Sequence, residues 1–422
     1  MTTVQTKALD TFIRETGGAV AAQLEACTRC GMCAEACHFY VTTHKPEYTP
    51  IWKAELLRRA YEQKFTPIGR LKLALGLDQP VTEADLQKWV EYDYYACTMC
   101  QRCSMVCPMG IQIGDLIHQA RAGLYDAGLI PPDLKEALDH QIVDGSPLDV
   151  TDKLFQERLE WVRDDWDCEC SIDKQGAEAL LVFSSIEIMK FPDNLHAISQ
   201  ILNAGGVDWT LSSVGREVTN FGLYAGSSEV ELEISERIVK AAHDLGVKRV
   251  IVSECGHAYE NLRFRLANLE GGPLPFKVVH ITEVIGDLLD SGKIKLKPGA
   301  IDETITFHDA CKIQRLGGNL DQPRTVLNML AGEHFVEMTP NREEAWCCGG
   351  GGGVIAIKDA DPVRRAAFTL KIDQVNKTGA KQVAMTCSNC RLQFTDCVEH
   401  FALDWKVVGL AELVAENLVE EG

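Results

Sequence analysis

Apolar positions along the chain follow two different rhythms. From Leu24 to about Ala127, apolar residues recur at helical spacing in stretches such as Ile51 to Gln63, where Ala54, Leu56, Leu57 and Tyr61 share one face. Beyond Lys174 the pattern becomes short apolar runs alternating with amphipathic helices. The runs are Ala179 to Phe183, Arg249 to Ser253 and Val278 to Ile281, with helices over Leu195 to Leu202 and Glu231 to Leu245. The same order returns with Ile305 to Phe307, Arg324 to Leu330, Pro362 to Val375, Gln382 to Thr386 and Leu410 to Leu418. Strand and helix in alternation predict parallel-sheet α/β units, and their recurrence predicts a duplication. Between the two regimes, Pro131 to Lys174 is charged and carries Pro131, Pro132 and Pro147, which reads as a wrapping linker with short helices. Trp161 and Trp166 would anchor it by burial. The expected fold class is α+β overall, in four segments: a helical domain over 21–127, a linker over 128–175, and two α/β copies over 176–298 and 299–422.

Cysteine spacing adds chemistry to this outline. Cys27, Cys30, Cys33 and Cys37 are spaced x2, x2, x3, and Cys97, Cys100, Cys103 and Cys107 repeat that spacing before Pro108. This is the two-cluster ferredoxin pattern, in which each fourth cysteine serves the other cluster. One cubane 4Fe-4S cluster is therefore expected on Cys27, Cys30, Cys33 and Cys107, and the other on Cys97, Cys100, Cys103 and Cys37. Zinc also accepts four thiolates, but three evenly spaced cysteines plus a fourth, given twice, fit it poorly. His38, not proline, follows Cys37.

The second copy holds five more cysteines, Cys311, Cys347, Cys348, Cys387 and Cys390, each group after a strand and so at the carboxyl edge of the sheet. A cubane normally takes one protein ligand per iron, so five thiols mean either a spare reactive thiol or an opened, non-cubane cluster. The run Gly349 to Gly353 would bring backbone close to cluster sulfurs; as a phosphate loop it lacks the required Lys-Ser/Thr ending. In the first copy, Glu217 to Leu223 lines up with Glu344 to Gly350, and Ser253 to Gly256 with Met385 to Ser388. There Glu187, Asn220, Phe221 and Ala258 replace thiols and Cys255 remains. His257 and His308 are candidates to line the pocket and donate a proton to a leaving thiolate. Cys168 and Cys170 fall in the linker with a spacing unlike the cluster groups, and Cys397 reads as core.

Charge and cysteine use bound the function further. The chain has 422 residues, 17 cysteines and a net charge of −19, which cluster thiolates make more negative. A nucleic-acid backbone would be repelled, and so many grouped thiols without a signal peptide imply a reducing compartment. No run of about 18 apolar residues predicts a membrane span, so any membrane contact would go through a partner. No dinucleotide fingerprint is visible, and a flavin or nicotinamide would sit on another chain.

Together these residues resemble the CCG-domain iron-sulfur proteins, over about residues 21 to 420. The resemblance is to the B-type and D-type chains of heterodisulfide reductase and to the K subunit of the sulfite-reduction-associated membrane complex. Iron-sulfur subunits of glycolate oxidase and anaerobic glycerol-3-phosphate dehydrogenase, and one accompanying membrane-bound nickel-iron hydrogenases, look similar too. The resemblance implies that Cys311, Cys347, Cys348, Cys387 and Cys390 hold a non-cubane 4Fe-4S cluster able to bind substrate sulfur. With only one complete copy, the chain is closer to the K-subunit and hydrogenase-associated types. The expected function is that of an oxidoreductase subunit passing electrons between two cubanes and that third site, with a disulfide or other sulfur compound as substrate. The alternatives are a pure carrier between a hydrogenase or dehydrogenase and the quinone pool, or a subunit of a glycolate or glycerol-3-phosphate dehydrogenase. Implied partners are a membrane b-type cytochrome, a nickel-iron hydrogenase, or a small thiol or disulfide protein, placing the chain in the cytoplasm on the inner face of the membrane.

Overall fold

The computed structural model describes residues 2–419, which divide into two compact units. The first gathers the chain up to Leu138 with Phe221–Glu229 and Gly349–Leu370; the second gathers Asp139–Asn220, Val230–Cys348 and the chain from Lys371 onward.

The first unit is helical. Its opening helix, Thr3–Glu15, starts from a reciprocal cap in which Thr2 accepts from the Gln5 backbone and the Gln5 side chain accepts from the Thr2 backbone. It packs along Ile113–Asp126, where Phe12 lies so close to Gly123 that a Cβ there would stand 2.2 Å from its ring. The helix expected over Ile51 to Gln63 is instead two, Pro50–Lys53 and Glu55–Phe65. The interruption has a cause: the Lys53 carbonyl accepts from Trp89 Nε1 at 3.0 Å, and the Lys53 side chain turns fully inward.

The second unit holds two all-parallel sheets. One has strands β1 (Ala179–Val182), β2 (Trp209–Thr210), β3 (Arg249–Val252) and β4 (Lys277–His280), ordered β2-β1-β3-β4 with Leu181 opposite Ile251 and Ile251 opposite Val279. The other has β5 (Ile305–His308), β6 (Gln382–Met385) and β7 (Lys406–Gly409), ordered β5-β6-β7 with Phe307 opposite Ala384. The inner strands β1, β3 and β6 are buried along nearly their whole length, as parallel strands covered on both faces are. One apolar core runs through both sheets, from Leu181 and Ile251 to Phe307, Ala384 and Val408. The fold is α+β, with helices and two small parallel sheets.

The segment read as a linker is more ordered than its composition suggests, with helices Pro132–Asp144 and Asp152–Trp166 of 13 and 15 residues. In the second, Phe155, Leu159 and Val162 follow i, i+4, i+7 spacing and enter the core of the second unit. Trp161 packs against that core, whereas Trp166 is half exposed and stacks on His196.

Candidate functional site

Two thiol-lined cavities occupy the first unit. Cys27, Cys30, Cys33 and Cys107 line one, with Ile51, Ile111 and Ile113 around them. Cys37, Cys97, Cys100 and Cys103 line the other, with His38, Phe39, Lys53 and Ile117. In each, three cysteines come from one loop and the fourth from the other loop's end.

Backbone conformation explains how a loop of three cysteines curls round a centre. Arg29 and Gly31 are left-handed in the first loop, and Met99 and Gln101 stand at the same two places in the second. Such alternation turns successive N–H groups toward one side. Gln101 holds the strained conformation through its side chain, which donates to Asp115 at 2.7 Å and accepts from Ser104 at 2.6 Å.

Burial pushes the Cys33, Cys97 and Cys103 thiols up, and for Cys103 the neighbouring thiols push further in the same direction. Four sulfurs converging in each cavity, with Cys33, Cys97 and Cys103 resisting ionisation on their own, are a donor set suited to a multivalent cationic centre, and an iron-sulfur cluster fits both cavities.

The second cavity carries polar groups that the first lacks. Lys53 is fully buried, donates to the Ala96 carbonyl, and sits 3.7 Å from Cys37 Sγ. Burial would draw its proton off, but the thiols of Cys37, Cys97 and Cys103 outweigh that and hold the ammonium above its ordinary value. Arg121, also fully buried, uses every donor on backbone carbonyls: Asp93 twice at 3.0 and 2.7 Å, and Tyr224, Gly352 and Cys97 at 2.7 Å each. Burial raises the Asp93 carboxyl well above the usual carboxylate range.

The glycine run serves this unit in an unexpected way. Gly352 has φ +63°, and a Cβ on it would lie 2.7 Å from the Thr98 backbone, beside Cys97. The close approach expected of Gly349 to Gly353 is therefore made to protein backbone at Gly352.

In the second unit, Cys347, Cys348, Cys387 and Cys390 are all buried and linked thiol to thiol, Cys347 and Cys390 to Cys348, and Cys387 to Cys390. His308, the last residue of β5, places a ring nitrogen within 4.8 Å of both Cys348 and Cys390 Sγ. The thiols of Cys347 and Cys390, with His308 after them, hold Cys348 well below the ordinary thiol range. Cys387 stands just before helix Ser388–His400 and receives the Gly256 N–H. Cys311 lies half-buried three residues past β5. That turn is clamped by Asp309, which takes both terminal nitrogens of Arg324 at 2.9 Å. Lys371 is fully buried near these thiols; burial lowers it to about 8 against their pull and that of Asp309. Crowded thiols with a depressed Cys348 fit an iron-sulfur centre here as well.

The first α/β copy has filled its equivalent place with hydrogen bonds. Glu187 is fully buried and accepts from the Ser184 backbone and hydroxyl, Ser253 Oγ, Asn194 Nδ2 and the Glu254 backbone, at 2.7 to 3.0 Å. Cys255 precedes its helix as Cys387 does, and burial keeps its thiol well above the ordinary value. His257 is buried too, its Nε2 2.7 Å from the Asn220 carbonyl, and burial lowers it to about 3. Cys168 and Cys170 form a hydrogen-bonded pair in which the Cys168 thiol lowers Cys170 to about 7. Cys397 is buried and accepts from Gln393 at 3.3 Å.

Nearby Glu217 accepts from the Ser185 and Thr219 backbones at 2.9 and 2.8 Å, yet burial still pushes its carboxyl up to about 7 from 4.5. The folded protein thus holds this proton more tightly than the unfolded chain. That contribution is complete below the unfolded value of 4.5 and disappears as pH rises through 7. Stability should fall by up to about 1.4 kcal/mol per pH unit from this group between pH 4.5 and 7, and the decline should level off above the folded value. Glu217→Gln should flatten the decline in anaerobic urea unfolding; parallel curves for the two proteins would contradict it.

Sequence comparison meets the same residues. The family described as 4Fe-4S dicluster domain matches residues 23–111, and the one described as cysteine-rich domain matches residues 305–395. The D-type chain of the dihydromethanophenazine:CoB–CoM heterodisulfide reductase of Methanosarcina barkeri is 30% identical over 404 residues, which cover 94% of each chain. The chain belongs to the D-type family of heterodisulfide reductase iron-sulfur proteins. Another relative is the Hdr-like menaquinol oxidoreductase iron-sulfur subunit 2 of Archaeoglobus fulgidus, 28% identical over 445 residues, 94% of this chain and 80% of that one. The EtfAB:quinone oxidoreductase of Syntrophomonas wolfei is 26% identical and matches 89% of this chain over 55% of its own length. As a heterodisulfide reductase D-type protein, the chain is an iron-sulfur electron-transfer protein with a redox role. Among the described residues, no helix is long and apolar enough to cross a membrane.

Proposed function

We propose that the chain carries electrons between two cubane 4Fe-4S clusters and a third, non-cubane 4Fe-4S site that acts on a sulfur-sulfur bond. The reading rests chiefly on the two thiol cavities, whose sets are the crossed ones, Cys27, Cys30, Cys33 with Cys107 and Cys97, Cys100, Cys103 with Cys37. The third site is proposed on Cys311, Cys347, Cys348, Cys387 and Cys390. The domains follow: a ferredoxin-like domain over 21–127, a connecting segment, and a duplicated CCG module over 176–298 and 299–422.

Bound clusters supply one-electron transfer at these positions. The chain's own part is to bind, orient and shield. Left-handed residues curl each cysteine loop, Arg121 fixes the Cys97 carbonyl, and burial excludes water from Cys347, Cys348, Cys387 and Cys390. His308 turns a ring nitrogen to within 4.8 Å of Cys348 Sγ, and burial lowers its imidazole below the ordinary histidine value. The names of the relatives, a menaquinol oxidoreductase and a quinone oxidoreductase, support the quinone pool as the electron partner, reached through a membrane b-type cytochrome. The chain would then sit on the cytoplasmic face, where a nickel-iron hydrogenase or a small thiol protein exchanges electrons with it.

A second reading, a pure carrier with no sulfur substrate, is favoured by the burial of four of the five CCG thiols, at 2 to 7% exposure. Spectroscopy separates the two. Adding a small thiol to the oxidised holoprotein should produce a new paramagnetic signal, absent from Cys348→Ala. An unchanged spectrum in the parent would reject the sulfur-bond reading in favour of the carrier.

A further inference from the structure

The two cavities of the first unit share their cysteine pattern but differ in what else faces the centre. We propose that Lys53 and His38 make the cluster on Cys37, Cys97, Cys100 and Cys103 the more easily reduced of the two cubanes, so that it takes the first electron and holds it. The inference rests on the crossed cluster assignment proposed above.

A thiolate-bound cubane gains negative charge on reduction, and its potential follows net charge, hydrogen bonds to sulfur and exposure. A cation counts most where water cannot screen it. Lys53 is such a cation: 1% exposed, one donor on the Ala96 carbonyl, and Nζ 3.7 Å from Cys37 Sγ. The cation lining the other cavity is Arg29, which is exposed to solvent.

His38 supplies the second, independent observation. It takes the place after Cys37 where Pro108 follows Cys107, and it is 2% exposed. Among the described residues neither ring nitrogen has a hydrogen-bond partner, and one lies within 4.8 Å of Cys100 Sγ. A buried imidazole N–H needs an acceptor, and the ring lines the cavity where cluster and cysteine sulfurs would offer one. Proline in that position, as at Cys107, would supply no donor.

The test is a potentiometric titration of the anaerobic holoprotein followed by electron paramagnetic resonance. In Lys53→Met and in His38→Leu, the first-reduced cubane should lose at least tenfold in its reduced-to-oxidised ratio at fixed potential, about 59 mV for a one-electron couple. The later-reduced cubane should move much less, and Lys53→Arg should keep the parent value. If the parent shows two cubane signals and the first-reduced one stays put in both variants, or the other one moves instead, the inference is overturned. Fewer than two cubane signals in the fully reduced parent would overturn the cluster assignment beneath it. Should Lys53→Met lose iron, the unmutated protein decides. With 15N-lysine and 15N-histidine, its one-electron-reduced form should show 15N coupling to the first-reduced cubane, and absence of coupling overturns the proposal.

Discussion

Arg121→Leu is expected to destabilise the protein by about 4 kcal/mol or more, the cost of leaving four buried carbonyls without donors at roughly 1 to 3 kcal/mol each. Those carbonyls belong to Asp93, Cys97, Tyr224 and Gly352, three separate stretches of the first unit that one guanidinium draws together. Lysine cannot substitute, because its ammonium lacks the planar five-donor fork. Urea unfolding of the anaerobic holoprotein reads the loss directly. Iron content gives a second readout, since a loosened Cys97 carbonyl frees the loop that carries Cys97, Cys100 and Cys103. A loss under about 1 kcal/mol, within the range of surface substitutions, would show that the carbonyls find other partners.

Cys348→Ala is expected to remove about four irons and four sulfides per chain while leaving both cubane signals. Cys348 is the hub of the second-unit thiols, joined to Cys347, Cys390 and His308, and its depressed thiol is the one most ready to bind metal. Cys397→Ala is the control, because that buried thiol accepts from Gln393 and donates to Asp396 and lies outside the five CCG cysteines. Equal iron in Cys348→Ala and the parent would mean that the CCG thiols hold no cluster.

Spacing made much of this readable in advance. Three cysteines at x2 intervals followed by one at x3 leave little freedom in how a loop surrounds a centre, and the alternation of β1, β3, β4, β5 and β6 with helices implied parallel sheets. The residues that escaped notice are those whose burial hydropathy cannot foresee. Lys53 and Arg121 look like solvated positions on amphipathic helices, yet both are fully buried against carbonyls and thiols. Trp89 interrupts the helix at Lys53 through a bond across 36 residues that no local window contains. Gly352 announced a close approach, but its partner, the Thr98 backbone, is set by tertiary packing. The strand Trp209–Thr210, at two residues, is too short to leave a period, and the helix Asp152–Trp166 was hidden by the charged residues between Phe155, Leu159 and Val162. Glu187 was legible as a lost ligand, but not as the centre of a hydrogen-bonded knot that includes Ser253.

The central claim is that three iron-sulfur centres occupy this one chain, and counting iron and acid-labile sulfide in protein purified without oxygen tests it most directly. The account predicts about twelve of each per polypeptide. About eight of each would contradict it, leaving two cubanes and a set of CCG thiols that serve some other end.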